Sequence, residues 1–566
     1  MLKKISLSKY VILLFILAIP FVNFNHHKYS KDEGVIVWDI KSYYAYLPAT
    51  FIYKDLSLEF IHTDKTLDFG KWIWPVKTPT GKEAIITSCG LSMLYSPFFF
   101  IAHTYAKLSP KYSADGYSKP YHVALTFSAY IYFILALFIL RKILLKNFNE
   151  KTTALTLFFI GAGTNLFYYV TYEAPMPHSY NFFLIILFLR LLIKWHESLT
   201  VKNTVFLGLT AGLIALIRPT NILILLLIPL YGVNNFQTFK ENVNTLLKHW
   251  YLIFIMMVSF ILVWIPQFSY WHYVSGKIFY FSYGAKGASF FFDNPQITDF
   301  LFSWKKGWFV YTPVMLFAVF GIYRLLKIKN PFATGAAIYL LLTVYVLSSW
   351  WSWWFGGSFG LRAMVDMYGL AALPLAALIE KKRKPAFLKH ALIGILFLLT
   401  FYNQFQIQQY KNGAIHYWWM NKEAYKANFL HLHPTCKYWK VLRKPDYDKA
   451  RKGIYVSVPT YDKYAVISDS LLKAEIIKDI KKDTLISDSL SEIYAAEIIK
   501  SHKAGKYFKK LKIDYLINYI NNCAMWKKEV SGKAEKMNIS YREALKAEAE
   551  RVYNTYSEKY EDTFND

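Results

Sequence analysis

Apolar segments long enough to enter or cross a bilayer recur through the first 402 residues of this chain and leave little choice of fold. A backbone in lipid must satisfy its own hydrogen bonds, so each such segment is expected to be a helix. We predict about eleven spans, at residues 10–24, 123–145, 154–172, 181–195, 205–217, 222–233, 251–270, 314–326, 332–349, 363–379 and 388–402. A further stretch, 91–108, carries Pro97 and His103 and is predicted to be a re-entrant or interfacial helix. The fold class is an all-α polytopic membrane protein.

The charge of the chain fits this class rather than a nucleic-acid-binding one. Its 566 residues are 55% hydrophobic and 19% aromatic, with a formal net charge of +28. Many of the lysines and arginines lie in short loops between apolar segments, where basic residues mark the cytoplasmic side. We therefore expect the lipid bilayer and no nucleic acid as a partner. Three widely separated cysteines imply neither a disulfide framework nor a zinc site.

Basic residues set the predicted orientation. Lys3, Lys4 and Lys9 precede the first apolar segment, which we interpret as a retained signal anchor because no small-residue cleavage site follows it. The run Lys381 to Lys384 holds the loop before the last span in the cytoplasm. Residues 26–90 and 271–310 are then long outer loops, and residues 403–566 form a region outside the cytoplasm.

The region from residue 403 onward has a different composition. Charges of both signs alternate there, and apolar residues show a helical period over 467–504 and 541–556. The pentapeptide Ile-Ser-Asp-Ser-Leu occurs at 467–471 and again at 486–490, and serine and aspartate cap free backbone N–H groups. We predict a mainly helical C-terminal region, separate from the transmembrane domain at 1–402.

The polar residues next to the spans give the main functional signal. Once the cytoplasmic lysines and arginines are set aside, the remaining ionisable residues all fall on the predicted outer side: Asp39, Glu173, His178, Arg218, Arg362 and Asp366. Ionisable groups at membrane depth are costly and are candidates for function. A transporter would instead concentrate them at mid-membrane, near broken helices in repeated halves. The sequence shows no such repeat.

Each of these residues also has a structural interpretation. Asp39 fits a solvated loop acid, and Glu173 or His178 fits a helix cap. Arg218 fits a side chain that extends to lipid headgroups. The tryptophans at 350–354 fit an interfacial belt. The glycines that follow them favour a functional interpretation, because glycine lets the backbone approach a ligand closely.

The ordered motifs of residues 1–400 resemble those of bacterial membrane glycosyltransferases of the GT-C fold, a group similar to protein O-mannosyltransferases and the lipid A aminoarabinose transferase. The motifs are, in order, Asp39 with Tyr43-Tyr44, Glu173 with His178, Arg218-Pro219-Thr220-Asn221, the segment Gly307 to Pro313, and the segment Trp353 to Arg362. The resemblance implies a GT-C-like bundle, a polyprenyl-phosphate sugar as donor, and an acid of the first outer loop as catalytic base. That role falls on Asp39.

The first loop departs from the family pattern at one point. The family pairs its acid with a second one, whereas Asp39 is followed by Ile40 and Lys41. The pair Asp32-Glu33 lies shortly before it and is an alternative base. The need for a divalent metal is left open by this departure.

The leading hypothesis is a glycosyltransferase at the outer face of a bacterial inner membrane. Its acceptor is a glycan, lipid or protein, and the sequence names neither sugar nor acceptor. The candidate catalytic residues are Asp39, Glu173 and His178, and the candidate donor-binding residues are Tyr43, Tyr44, Arg218, Trp353, Trp354, Arg362, Lys305 and Lys306. The alternatives are a lipid-linked glycan transporter or flippase, and a structural membrane subunit whose outer tail binds a partner.

The orientation can be tested with fusions after residue 566. We expect a reporter that is active only in the periplasm to be active there, because Lys381 to Lys384 keeps the preceding loop inside. The matched fusion is a reporter active only in the cytoplasm. Activity of that second reporter alone would show that the number of spans is wrong by one.

Overall fold

The computed structural model describes residues 6–30, 34–65, 67–382, 384–435, 438, 441–459, 477, 495, 508–522 and 524–561. Asp32-Glu33 and both Ile-Ser-Asp-Ser-Leu pentapeptides lie outside the described residues. The chain divides into two compact units, Met1–Ile407 with Tyr447–Tyr455 and Gln408–Asp446 with Val456–Asp566.

The first unit is built almost entirely of helices. Up to the last predicted span they are α1 Leu7–His26, α2 Asp39–Phe51, α3 Phe60–Thr63, α4 Gly90–Leu108, α5 Lys119–Leu144, α6 Glu150–Ala162, α7 Leu166–Thr171, α8 Pro177–Glu197, α9 Val201–Ile217, α10 Leu227–Leu230, α11 Phe236–Lys248, α12 Trp250–Ser275, α13 Ile297–Phe302, α14 Trp308–Tyr311, α15 Val314–Lys327, α16 Ala333–Ser348, α17 Tyr368–Glu380 and α18 Phe387–Lys411. Short 3-10 helices occur at Lys28–Ser30, Phe69–Lys71, Pro219–Leu226, Ser282–Lys286 and Arg362–Met367. One antiparallel hairpin, β1 Pro75–Lys77 with β2 Glu83–Ile85, lies in the first long loop.

The multi-pass helical class is confirmed. Among the described residues, six helices are long and apolar enough to cross a membrane: Leu7–Ser30, Lys119–Leu144, Pro177–Glu197, Trp250–Ser275, Arg362–Glu380 and Phe387–Lys411. Three shorter apolar helices correspond to predicted spans, at Val201–Ile217, Pro219–Leu230 and Ala333–Ser348. The remaining two predicted segments are also helical, but 154–172 is interrupted between α6 and α7, and α15 has only 14 residues. The count of eleven crossings stays a prediction.

Burial separates a central helix from peripheral ones. In the Arg362–Glu380 span 89% of the residues of the apolar window are buried, against 22% in Trp250–Ser275 and 28% in Phe387–Lys411. The Arg362–Glu380 span is therefore enclosed by other helices, whereas Trp250–Ser275 and Phe387–Lys411 expose most of their surface. A polar group at the start of α17 is thus held by protein on all sides.

Small residues let the outer helix α12 pack closely on α9. Gly208 and Gly212 are four residues apart, and a Cβ on either would lie 2.6 or 2.7 Å from the backbone oxygens of Met256 and Phe260. Small residues at this spacing are common where membrane helices touch, because backbones can then come into van der Waals contact. The same device brings α15 onto α17, where a Cβ on Gly321 would lie 2.0 Å from the Pro374 oxygen.

The polar contacts of the bundle divide between two ends. At the end predicted to be cytoplasmic, the backbone N–H of Ser8 donates to Glu150 at 2.7 Å, Arg141 pairs with Glu150 at 3.5 Å, and Asn149 donates to Glu380 at 2.6 Å. At the other end, Lys28 donates to the Tyr172 carbonyl at 3.3 Å. Residues that the sequence assigns to one side therefore contact each other, which agrees with alternating helix directions.

The second unit contains α19 Lys422–Ala427, a hairpin of β3 Arg443–Pro445 with β4 Ser457–Pro459, and three helices, α21 Phe508–Asn522, α22 Ala524–Met537 and α23 Tyr541–Glu561. The short α20, Tyr447–Ala450, belongs to the first unit. The three helices share a core that includes Leu516, Trp526 and Val552. The helical period over 541–556 is confirmed by α23, whereas the period over 467–504 lies outside the described residues except at 477 and 495.

Candidate active site

The 3-10 helix Arg362–Met367, which leads directly into α17, is the point where the candidate residues meet. Its first residue, Arg362, contacts α2, and Asp366, four residues later, contacts α8 and the segment after α9. Pro177 lies in the first turn of α8, where proline costs no hydrogen bond. Pro219 is the first residue of the 3-10 helix that follows α9. Two prolines thus fix where His178 and Arg218 enter the site.

Asp366 is a buried carboxylate with four donors. Its Oδ1 accepts from His178 Nδ1 at 3.0 Å. Its Oδ2 accepts from Arg218 Nη1 at 3.0 Å, Asn181 Nδ2 at 3.1 Å and Asn221 Nδ2 at 2.7 Å. The residue is 1% exposed, and a carboxylate so placed is stable only when it is paired and hydrogen-bonded. Asp366 therefore ties α8, α9 and α17 together.

The second ion pair lies at the surface of the same cluster. Arg362 Nη2 donates to Asp39 Oδ2 at 2.8 Å, and the side chain of Asp39 is 46% exposed while that of Arg362 is 16% exposed. Asp39 is the first residue of α2, where the helix dipole favours a negative charge. Water thus reaches the carboxylate of Asp39, whereas the guanidinium lies beneath it.

Tyr43 lies one helical turn below Asp39 and is 8% exposed. Burial, and then the negative charge of Asp39, raise the pKa of Tyr43 to about 12. Its backbone carbonyl accepts a hydrogen bond from the Ser92 hydroxyl, which fixes this turn of α2 on α4. Tyr43 therefore contributes a protonated hydroxyl and an aromatic ring to the buried part of the site.

A lysine and tryptophan group lies beside this cluster. The Lys305 Nζ is 4.6 Å from the Trp354 ring centroid and 5.7 Å from that of Trp353. Burial lowers the pKa of Lys305 to about 8, and it also lowers the pKa of Lys306 well below its usual value. Lys306 donates to the Ser358 carbonyl and is within electrostatic reach of Arg362. Burial therefore disfavours the positively charged form of both lysines.

Three other predicted residues are hydrogen-bonded to partners other than Asp39. Tyr44 is fully buried, and its hydroxyl donates to the Gly116 carbonyl at 2.6 Å. Glu173 accepts from the Tyr168 hydroxyl at 3.2 Å and acts electrostatically on Arg362. His178 is 2% exposed and is bonded to Asp366. We therefore interpret His178 and Tyr44 as structural residues.

Sequence reasoning missed Asn181 and Trp38, and it named Asn221 only as part of the motif Arg218-Pro219-Thr220-Asn221. Asn181 and Asn221 complete the shell of Asp366, and each follows a basic residue at a spacing of three, as in His178-Ser-Tyr-Asn181 and Arg218-Pro-Thr-Asn221. That repeated spacing at two span ends was the available signal. Trp38 lies directly before Asp39 and is 57% exposed. Its signal was the apolar run Val35 to Val37 directly before it, within the first outer loop.

The described residues do not fit a divalent metal. Asp39 and Asp366 are each bonded to an arginine, and an adjacent guanidinium repels a dication. Among the residues that the structure describes, no three or more His, Cys, Asp or Glu side chains come together in a way that could hold a metal ion.

Comparison with known proteins adds one distant likeness. No family model matches the chain, and no curated protein matches it. Among solved structures it is similar to the Archaeoglobus fulgidus oligosaccharyltransferase tethered to an acceptor peptide, with 14% sequence identity and a TM-score of 0.39. The likeness covers 80% of this chain and 60% of the oligosaccharyltransferase chain. This chain therefore spans less than two thirds of the length of the oligosaccharyltransferase.

The Asp366 shell predicts a stability effect. Asp366→Asn leaves Arg218 without its buried counter-charge, and breaking a buried pair in this way costs about 3–5 kcal/mol. We expect a clear fall in the melting temperature of the detergent-solubilised protein. The matched control is Asp39→Asn, whose pair is half-exposed and contributes about 0–1 kcal/mol. Equal melting temperatures for the two variants would contradict the assignment.

Proposed function

We propose that this protein transfers a sugar from a polyprenyl-phosphate donor to an acceptor at the outer face of a bacterial inner membrane, as a GT-C-like glycosyltransferase. The observation that carries the proposal is the Asp39–Arg362 pair. It offers a water-accessible carboxylate and a guanidinium at one end of a helical bundle, at the end opposite the basic loops. A base and a phosphate-binding cation are the two groups that this reaction needs.

The two arginines differ in the cost of leaving their carboxylate partner to bind a donor phosphate. Arg218 is bonded to a fully buried carboxylate, so its loss to a ligand would leave Asp366 uncompensated. Arg362 is bonded to the half-exposed Asp39, and exchange of such a pair costs little. A guanidinium also matches the geometry of phosphate oxygens. We therefore assign the phosphate to Arg362 and interpret Arg218 as a positioning residue.

With this assignment, binding of the donor makes the base available. In the resting protein Arg362 holds the Asp39 carboxylate. When the donor phosphate takes the guanidinium, Asp39 becomes available to accept a proton. The acceptor hydroxyl oxygen then forms a bond to the anomeric carbon, the bond from that carbon to the phosphate oxygen breaks, and its electron pair leaves with the polyprenyl phosphate. The hydroxyl proton goes to Asp39.

The alternative is a transporter of lipid-linked glycan. It is separated from a transferase by an assay with purified protein in detergent and a radiolabelled polyprenyl-phosphate sugar. Transfer of label to acceptor requires no movement between leaflets, so product formation in detergent favours the transferase. Absence of product, with translocation of the labelled lipid in proteoliposomes, would favour the transporter.

Asp39→Asn tests the base. The amide keeps the size of the side chain but does not accept a proton at neutral pH, and loss of a general base costs about a hundredfold to ten-thousandfold in rate. We expect that loss in turnover, with an unchanged melting temperature, in the labelled-donor assay. Near-normal turnover of Asp39→Asn, together with inactive Asp32→Asn or Glu33→Gln, would move the base to the earlier pair.

Arg362→Lys tests the phosphate assignment. Lysine keeps the charge but loses the planar pair of donors, and one charge-assisted hydrogen bond contributes about 1.5–3 kcal/mol. We expect the donor concentration for half-maximal rate to rise about tenfold or more. Arg218→Lys is the matched control and should lower the melting temperature. If Arg362→Lys leaves both donor half-saturation and turnover unchanged, Lys305 and Lys306 become the candidates.

A further inference from the structure

Trp38 combines exposure with an unfavourable backbone conformation. Its φ is 51° and its ψ is −134°, in a region that side chains other than glycine rarely occupy. Its neighbours on both sides are buried: Val35, Ile36, Val37 and Ile40 are each 8% exposed or less. Trp38 itself is 57% exposed. An anchored segment thus holds one indole out into solvent, next to the proposed base.

A second indole meets it. The Trp38 and Trp74 rings are 6.0 Å apart at an angle of 67°. The segment of Trp74 is anchored as well, because Ile73 is 2% exposed and Trp72 stacks on Tyr117 at 5.3 Å. The Lys41 Nζ lies 4.6 Å from the centre of the Trp74 ring. Two rigidly supported rings are therefore bordered by an ammonium group and by the Asp39 carboxylate.

We propose that Trp38 and Trp74 form a sugar-binding subsite and that the acceptor is a glycan, a proposal that rests on the proposed function. One face of a pyranose ring presents C–H groups that pack on an indole, while its hydroxyls point sideways to polar groups. Here those groups are Asp39 and Lys41. Arg362 takes the donor phosphate, so the ring beside the base receives the molecule whose hydroxyl the base deprotonates.

The strained backbone favours this use over a membrane anchor. Tryptophans that anchor proteins at the interface need only reach the headgroups, and Trp250 at the start of α12 is 67% exposed in an ordinary helix. An unfavourable conformation persists where the direction of a side chain matters, as at ligand sites. Orienting a reacting hydroxyl at the base is such a requirement.

Saturation-transfer NMR tests the subsite directly. The full-length protein in detergent is mixed with neutral hexose, N-acetylhexosamine and pentose trisaccharides, and the signal is read at the sugar C–H protons. We expect a signal with wild-type protein from at least one of these trisaccharides, at least a tenfold loss of apparent affinity in Trp38→Ala, and recovery of most binding in Trp38→Tyr. Trp250→Ala is the matched control and should bind as wild type does.

Trp38→Gly separates binding from folding. Glycine relieves the backbone strain, so we expect an equal or higher melting temperature together with the loss of the trisaccharide signal. Absence of signal from wild-type protein, equal signals from wild type and Trp38→Ala, or an effect of Trp38→Ala on vesicle association alone would each overturn the subsite.

The outcome is distinct from that of the proposed function. Trisaccharide binding that depends on Trp38, without transfer of label from the donor, would uphold the subsite and reject the transferase. Transfer of label to an acceptor whose half-saturation is unchanged in Trp38→Ala would uphold the transferase and reject the subsite.

Discussion

The hydrogen bonds to Asp366 are the interaction on which the outer end of the bundle depends. One buried carboxylate accepts from His178 and Asn181 of α8 and from Arg218 and Asn221 after α9, and it lies at the start of the central helix α17. Burying a charge is costly, and the four donors offset that cost only while all three elements stay in register. The position of Arg362, one turn earlier, follows from that register.

The site therefore contains two ion pairs with different tasks. The Asp366 pair is buried and connects three elements, whereas the Asp39–Arg362 pair is partly accessible to water and is the pair that we propose to be exchanged for a ligand. This difference in burial explains how two arginines at the same end of the bundle can have different roles. It also separates the groups proposed to react from the groups that fix their positions.

The first long loop supplies the reacting side of the site. Apolar residues are buried on both sides of Trp38 and Asp39, so these two residues are presented by an anchored segment at the start of α2. The Trp38 conformation is unfavourable by itself and is maintained by the packing around it. The proposed base Asp39 and the proposed phosphate ligand Arg362 are thus brought into contact although they are more than 300 positions apart in the chain.

The sequence by itself determined the helical membrane class, the assignment of ionisable residues to one end of the bundle, and the candidate status of Asp39, Arg218, Arg362 and Asp366. Hydrophobic length and basic loops are local properties, so they can be read along the chain. Only the tertiary structure decided which acid pairs with which arginine, that α6 and α7 are separate helices, and that His178 and Tyr44 are buried and hydrogen-bonded within the protein. It alone revealed the strain at Trp38 and the two asparagines around Asp366. The physical reason is that pairing, burial and backbone strain depend on contacts between segments distant in sequence, on which hydropathy and spacing carry no information.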